Sequence, residues 1–255
     1  MEKENEKDNP AVRLLAILDE GKTLVAKYVK NPNSLTGKQA WKNILKIEES
    51  STIEVHCLLL RRLGKVMELP SEIVERVKEC HPGHEQTCNY WVNRVTNGLI
   101  KQNLDAPFSN FIGTIDDHCI NYLTLTSTLL DQSLNNKVIG SDELLSIRTQ
   151  FLDIYKEILS SQEIDNENMR RYLLKYLKNL INVIDEYFIT GAEPILDEIQ
   201  SAIGHAYLNS DYSKFLKDTE IGKKIINTLA AAASIVTVAQ GMLVLTQNVF
   251  ASLPK

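Results

Sequence analysis

Four side chains that commonly bind metals lie within nine positions, at Cys80, His81, His84 and Cys88. Thiolate and imidazole groups are the ligands that zinc takes in tetrahedral protein sites. The spacing C-H-x-x-H-x-x-x-C is that of no standard zinc finger or ribbon, and the Pro82-Gly83 pair explains a turn by itself. The sequence therefore favours ordinary packing over a metal site, and we expect neither a bound metal nor a cofactor.

Arg76 and His81 form the pattern R-x-x-x-x-H, which resembles the loose signature of the helical HEPN-type ribonucleases. The resemblance implies that Arg76 and His81 would both be catalytic at a dimer interface, as the matching residues are in those enzymes. Val77 departs from the family, which usually has a polar residue after the arginine, and Pro82-Gly83 ends the helix at the histidine. A HEPN-like ribonuclease is therefore kept as the third hypothesis for function.

The run Asp116-Asp117-His118 invites a metal or acid–base interpretation. Adjacent residues on a helix diverge by about 100°, so the two carboxylates do not share a site. A solvated face is the simpler interpretation, and His56 and His205 are most simply structural. The sequence contains no Gly-rich phosphate loop, nucleophile elbow or HExxH motif, so we expect no catalytic residues and no enzyme.

The strongest functional feature is the C-terminal stretch, which has no ionisable side chain from Ile225 to Pro254. A helix needs about 20 apolar residues to cross the hydrocarbon core of a bilayer, and this run is longer. The alternative is a central core helix of a soluble fold, because buried helices can be apolar on all sides. The length of the uncharged run favours a membrane role.

Small and polar residues of this stretch share one side of the helix at spacings of three, four, three, four and seven. We call this set the seam; its members are Asn227, Ala230, Ser234, Thr237, Gly241 and Asn248. In membranes, small residues allow two helix backbones to approach, and hydroxyl or amide groups bond across the contact. The seam therefore predicts helix association or the lining of a pore.

Composition and charge favour an intracellular protein with an acidic body. All 33 acidic residues lie at or before Glu220, so residues 1–220 carry 25 positive and 33 negative charges, a net charge of −8. An acidic body argues against nucleic-acid binding, which needs basic surface. Residues 1–10 lack the apolar core of a secretory signal. The lack of a secretory signal, together with the lysines on both sides of the uncharged run, predicts a body on the cytoplasmic side of the inner membrane.

Helical periodicity runs through the chain, and no run of alternating strand residues interrupts it. Loops of two to eight residues separate the predicted helices, which favours antiparallel neighbours. We expect an all-α fold with a multi-helix, bundle-like body and a long C-terminal hydrophobic helix. The expected divisions are a solvated leader at 1–9, a cytoplasmic α-helical domain at 10–220 and a candidate transmembrane helix at 221–255. Leu69-Pro70 is expected to break one helix.

The segment IDEYFITGAEPILDEI, residues 184–199, resembles a stretch of uncharacterised bacterial all-helical proteins of similar length. The resemblance extends to PFSNFIGTIDD, residues 107–117. Such proteins occur among accessory and anti-phage defence genes, so the resemblance implies a bacterial defence setting. It implies no enzyme activity and assigns no functional residue.

Three hypotheses follow from the sequence. The first is a membrane-acting effector that forms homo-oligomers through its C-terminal helix, opens a pore or disrupts the inner membrane, and responds to a regulatory protein partner. The second is a tail-anchored or soluble helical binding or scaffold protein, in which the seam serves only packing. The third is the HEPN-like ribonuclease.

Overall fold

The computed structural model describes residues 7–28, 34–48, 52–134, 136–161, 164 and 166–241, and every regular element in these ranges is helical. The expected all-α fold is confirmed. The chain divides into two compact units. The N-terminal unit comprises residues 8–135, and the C-terminal unit comprises residues 136–255 together with residues 1–7.

The N-terminal unit is built from six helices around two buried tryptophans, Trp41 and Trp91, both fully excluded from solvent. Asn9 begins the first helix by accepting hydrogen bonds from the amides of Ala11 and Val12, and Thr36 begins the second with a complete capping box. The helices are α1 (Pro10–Lys27), α2 (Gly37–Ile44), α3 (Thr52–Cys80), α4 (Asn89–Lys101), α5 (Ser109–Ile112) and α6 (Asp117–Ser133).

Helix α3 corrects the expectation that Leu69-Pro70 ends a helix, because it runs through Pro70 without interruption. A proline inside a helix costs about 3 kcal/mol through its missing amide and its clash with the preceding turn. Val66, Leu69 and Ile73 are at most 1% exposed on either side of it. Each such buried side chain contributes about 1.5–3 kcal/mol, so packing on both sides of Pro70 outweighs its local cost.

The unit boundaries differ from the expected division at residues 9 and 220. Asp8 and Asn9, expected in a solvated leader, are only 7% and 1% exposed. Their burial is explained by their partners, since Asp8 accepts from Arg13 at 2.8 Å and the Asn9 amide donates to Asp131 at 2.7 Å. The body expected at 10–220 is divided between the two compact units, and the apolar C-terminal helix belongs to the second.

The C-terminal unit is an assembly of helices packed around one apolar core. Its helices are α7 (Ser141–Ser160), α8 (Glu167–Asp185), α9 (Tyr187–Thr190), α10 (Glu193–Leu208), α11 (Ser210–Asp218) and α12 (Glu220–Ala239). Helix α7 packs against α8 and α12, and α12 also contacts α10 and α11.

The guanidinium of Arg148 on α7 donates two hydrogen bonds to the carboxylate of Asp185 on α8, of 2.5 and 3.1 Å. Asp185 is also the cause of a raised pKa for Arg148.

Candidate functional site

Helix α12 is a core element of the C-terminal unit. Eleven of its twenty residues are buried, and Ile225, Leu229 and Val236 are completely excluded from solvent. Among the described residues, α12 is the one helix long and apolar enough to cross a bilayer by length and composition. A mostly buried core helix meets the same test, so the composition of α12 is compatible with both environments.

The first turn of α12 is fixed by a cap and an ion pair. The Thr219 hydroxyl accepts a hydrogen bond from the amide of Gly222 at 2.9 Å. The ammonium group of Lys224 lies 2.7 and 2.8 Å from the two carboxylate oxygens of Glu157 on α7. At the other end, the backbone amide of Lys137 donates to the carbonyl of Ala239 at 2.6 Å. Both ends of α12 are therefore held within the unit.

The seam divides between the core and the surface. Ala230 and Thr237 are 8% and 0% exposed, whereas Asn227 and Gly241 are exposed and Ser234 is half-buried. The hydroxyl of Thr237 bonds the carbonyls of Ala233 and Ser234 in its own helix. Asn248 lies outside the described residues. The role of the seam in association stays a prediction.

The exposed face of α12 includes the seam residue Asn227 together with Ala231 and Val238, which are not seam residues. Val238 is 56% exposed, so this apolar side chain stands in solvent near the middle of the uncharged run. Gly241, the last described residue, has φ +65°. That conformation suits glycine and strains other residues, so a bulky substitution at Gly241 would alter the backbone as well as any helix contact.

The four residues of the C-H-x-x-H-x-x-x-C pattern lie where α3 ends and α4 begins. Cys88 is completely buried, and burial raises the pKa of its thiol. The rings of His81 and His84 are 6.4 Å apart. The described part of the chain contains no group of three or more His, Cys, Asp or Glu residues placed to hold a metal ion.

Arg76 and His81 have structural partners. Arg76 forms an ion pair with Glu79 at 3.1 Å on the same helix. His81 Nε2 lies 2.9 Å from the carbonyl of Leu129 and 2.9 Å from the hydroxyl of Ser133, both on α6. The histidine therefore connects the end of α3 to α6.

The carboxylates of Asp116 and Asp117 have different partners, as expected for adjacent positions of a helix. Asp116 caps α6 by accepting from the amide of Cys119 at 2.8 Å, and it also accepts from the Tyr90 hydroxyl at 2.7 Å. These bonds, the one from Tyr90 first, lower the pKa of Asp116. Asp117 instead lies 3.3 Å from Lys22 and is almost fully exposed. The run supplies a helix cap and an exposed ion pair.

The two single histidines also have structural surroundings. The His56 ring meets the ammonium group of Lys38. The His205 ring stacks on Tyr172 with centroids 4.0 Å apart and meets Tyr212 edge-on at 4.9 Å. Burial lowers the pKa of His205. This aromatic cluster packs the region where α8, α10 and α11 meet.

Sequence reasoning missed a cleft of about 520 Å³ in the N-terminal unit. It lies between α4 and the segment that leads into α5. Its lining residues are Gly37, Tyr90, Asn93, Arg94, Asn97, Gly98, Lys101, Gln102, Asn103, Ala106, Pro107, Phe108, Asn110, Phe111 and Thr114. The spacing of Tyr90, Arg94, Asn97 and Lys101 on one helical face was a signal in the sequence. Without the opposite wall, that face was indistinguishable from a solvated surface.

Comparison of the chain with protein-family models, with curated proteins and with solved structures finds no match. Two features of the molecule are candidates for a functional role, the uncharged C-terminal stretch and the cleft beside α4.

Proposed function

We propose that this protein acts on a membrane through its uncharged C-terminal stretch, residues 225–254. The observation that supports the proposal is that the stretch has the length of a membrane span, while its part in α12, from Ile225 to Ala239, is apolar enough for one and lies inside a folded unit. The packed helix would be the stored state and the inserted helix the active state. Lys223 and Lys224, directly before the run, would stay on the cytoplasmic side of the inner membrane.

The length of the run favours the whole stretch as the inserting segment. The uncharged part of α12, from Ile225 to Ala239, measures about 22 Å at 1.5 Å per residue. The hydrocarbon core of a bilayer is about 30 Å thick, so this part of α12 alone is too short to span it. The sequence remains uncharged to Pro254, and these further residues supply the missing length.

Insertion would exchange one apolar environment for another. Ile225, Leu229 and Val236 leave a protein core and enter lipid, so their own burial is maintained. The cost lies in the surfaces of α7, α10 and α11 that α12 covers, which become exposed unless the unit rearranges. A regulatory protein partner that binds these surfaces would lower that cost. This gives the proposal a physical basis for triggered insertion.

Inserted copies would associate through Asn227, Ala230, Ser234, Thr237, Gly241 and Asn248 and form a pore or disrupt the barrier. Release of α12 from its unit would free Ala230 and Thr237 for such contacts. The resemblance of residues 184–199 favours a bacterial anti-phage defence setting for this activity.

A soluble helical binding or scaffold protein is the second candidate, and the packing of α12 favours it. Thr228 and Thr237 are buried at 5% and 0% exposure, and both ends of the helix are held by specific contacts. In this candidate, α12 never leaves the C-terminal unit. The two candidates therefore differ in one observable, which is the transfer of α12 into lipid.

Val238→Lys separates the two candidates. Because Val238 is 56% exposed in the folded unit, a lysine there is compatible with the fold. It stands at the middle of the run 225–254, where a lysine costs about 2.5–3.5 kcal/mol in a membrane helix. We expect partition into phosphatidylethanolamine–phosphatidylglycerol vesicles, measured by flotation and dye release, to fall by about two orders of magnitude.

Leu208→Lys is the matched control, because Leu208 is 90% exposed in the same unit and lies outside the run. The Leu208→Lys variant should bind vesicles as strongly as the unsubstituted protein does. Equal vesicle binding by the Val238→Lys variant, or no binding by any form, would reject the membrane proposal in favour of the soluble binding protein.

A further inference from the structure

The cleft beside α4 is held in shape by bonds between its walls. The segment before α5 is fixed to the beginning of α2 by three backbone hydrogen bonds, from Gly37 to Ala106, from Lys38 to Leu104 and from Phe108 to Leu35. Trp41 also donates to the side chain of Gln102 at 2.6 Å. A site whose walls are fixed before binding loses little conformational entropy when a ligand enters.

The floor of the cleft is apolar and closely packed. Phe108 and Phe111 are 1% and 4% exposed and contact each other with ring centroids 5.5 Å apart. A Cβ atom added to Gly98 would lie 2.7 Å from the Thr114 hydroxyl and 3.2 Å from Phe111. Glycine at this position therefore allows α4 to lie directly against the opposite wall.

The walls carry amides and positive charge. Asn93 and Asn97 lie on α4, and Asn103 and Asn110 lie on the facing segment. Arg94 and Lys101 also line the cleft, and no acidic residue is among the described residues that line it. The ammonium group of Lys101 and the side-chain amides of Asn93 and Asn110 bond to no described residue. These groups are available to a ligand.

One carboxylate lies near the Arg94 end and is already engaged. Arg94 is 3.6 Å from Asp116 and lies over the Tyr90 ring, 5.6 Å from its centroid. Asp116 also accepts from Tyr90 and from the amide of Cys119. The two hydrogen bonds stabilise the ionised carboxylate, and its ion pair with Arg94 holds the guanidinium at the cleft wall.

We propose that this cleft binds an extended acidic peptide segment with two carboxylates three residues apart. Arg94 and Lys101 are separated by two helical turns, about 10.5 Å along α4. In a polyproline II conformation, residues i and i+3 lie on the same side about 9.3 Å apart. Such a peptide has no internal hydrogen bonds, so its main chain would pair with the side-chain amides of Asn93 on one wall and Asn110 on the other.

The shape of the cleft favours a peptide over a compact anion. The face from Tyr90 to Lys101 is about 16 Å long, which matches about five extended residues. A single phosphate would engage one cation and leave the amides unused. A single-stranded nucleic acid carries anionic groups at a different spacing, and the test includes it. The binding proposal does not depend on membrane activity, because all lining residues belong to the N-terminal unit.

The test uses the full chain and a fluorescein-labelled hexapeptide, Pro-Glu-Ala-Pro-Glu-Ala, with an amidated C-terminus. Fluorescence anisotropy should give saturable binding with a Kd below about 1 mM, weakened by added salt because the contacts are partly exposed ion pairs. Arg94→Ala and Lys101→Ala should each weaken binding by about three- to fivefold. Asn93→Asp, which keeps the side-chain shape and adds a negative charge, should weaken it by about tenfold.

Two controls make the result specific. Lys78→Ala removes an exposed lysine elsewhere in the same unit and should leave the Kd unchanged within about twofold. The peptide Pro-Gln-Ala-Pro-Gln-Ala should bind at least about tenfold more weakly. Circular dichroism of each variant confirms that it is folded.

Three outcomes would overturn the proposal. These are no saturable binding of the glutamate peptide, equal binding of the glutamine peptide, and binding unaffected by both Arg94→Ala and Lys101→Ala. Preferential binding of a hexathymidylate with the same dependence on Arg94 and Lys101 would assign the cleft to nucleic acid instead. Vesicle binding is measured separately, so failure here leaves the membrane proposal intact.

Discussion

Gly222 lies directly against Phe215, because a Cβ atom at Gly222 would stand 2.2 Å from the Phe215 carbonyl oxygen. That carbonyl accepts hydrogen bonds from the amide and hydroxyl of Thr219, at 3.2 and 2.8 Å. Helices α11 and α12 thus meet at a corner that has almost no connecting loop. The absence of a side chain at Gly222 is what allows α12 to begin there and enter the core.

Gly222→Ala is expected to destabilise the C-terminal unit by at least about 2 kcal/mol, because the new methyl group must displace backbone atoms of α11. Gly204→Ala is the matched change. Gly204 lies inside α10 with no atom within 4 Å of an added Cβ, so alanine there should stabilise the unit by about 0.4–1 kcal/mol. Urea denaturation followed by far-UV circular dichroism measures both. Equal effects of the two substitutions would contradict the close corner.

Leu229→Ala tests whether α12 is a core element in solution. Leu229 is completely buried, and removing such a side chain costs about 2–5 kcal/mol. Val238→Ala, on the exposed face, should change stability by less than about 0.5 kcal/mol. Both tryptophans lie in residues 8–135, so their fluorescence reports the N-terminal unit and circular dichroism reports helices of both. A Leu229→Ala variant as stable as the original would place α12 outside the core.

The helical class of the fold was predictable, because the periodicity of apolar residues is local information. For example, Leu177, Ile181 and Ile184 follow spacings of four and three in the sequence, which is typical of an amphipathic helix, and they lie in α8 (Glu167–Asp185). Pro70 was misjudged because its helix is maintained by tertiary packing that propensity does not include. Helical periodicity of apolar residues also continues from Phe108 to about Leu134 and predicts one helix there. The structure instead divides this stretch into α5 and α6, because Asp116 caps a new helix and accepts a hydrogen bond from Tyr90.

The candidate sites were predictable only in part, for a related reason. Spacing placed the seam residues on one side of a helix but could not say which way that side faces. The structure turns Ala230 and Thr237 into the core and leaves Asn227 exposed. The cleft depends on Gly37 and Gly98 lying close to segments distant in sequence. Such proximity is a property of the folded chain alone.

Asp116 should give the N-terminal unit a measurable acid sensitivity. Its pKa is lowered by the hydrogen bond from Tyr90 and then by that from the Cys119 amide. The unfolded carboxyl has a pKa of about 3.9, so the stabilisation is fully present above that pH. It is lost as the pH falls through the lower pKa of the folded state.

Asp116→Asn keeps a capping oxygen but removes the charge, so the variant should be less stable at pH 7. The difference from the original protein should shrink below about pH 4. Asp117→Asn, at an almost fully exposed carboxyl, should show no such pH-dependent difference. Thermal denaturation between pH 2 and pH 7 measures this, and a constant difference for Asp116→Asn at all pH values would contradict the assignment.

His81 is expected to stabilise the fold through its contacts with α6. His81→Ala removes the partner of the Leu129 carbonyl and the Ser133 hydroxyl and should cost about 1–3 kcal/mol. Ser133→Ala removes one of these contacts and should cost less. The same variants are tested for RNA cleavage. If the original protein cleaves RNA and a folded His81→Ala or Arg76→Ala variant does not, the HEPN-like hypothesis displaces the membrane proposal.

Association through the seam can be tested at Asn227, which is exposed in the folded unit. In a Cys57→Ser background, which removes the exposed native thiol, Asn227→Cys leaves the core of α12 intact. If inserted helices meet along the seam, vesicles should increase disulfide-linked dimers several-fold over protein in solution, because two thiols then lie within bonding distance. Leu208→Cys supplies an exposed thiol outside the run and should show no such increase. Individual polar contacts between membrane helices are worth only about 0.6–2 kcal/mol, so crosslinking is a more sensitive probe than loss of one seam side chain. Equal crosslinking of the two cysteines, or no increase in dimers when vesicles are added, would show that membrane-bound copies do not associate along this side of the helix.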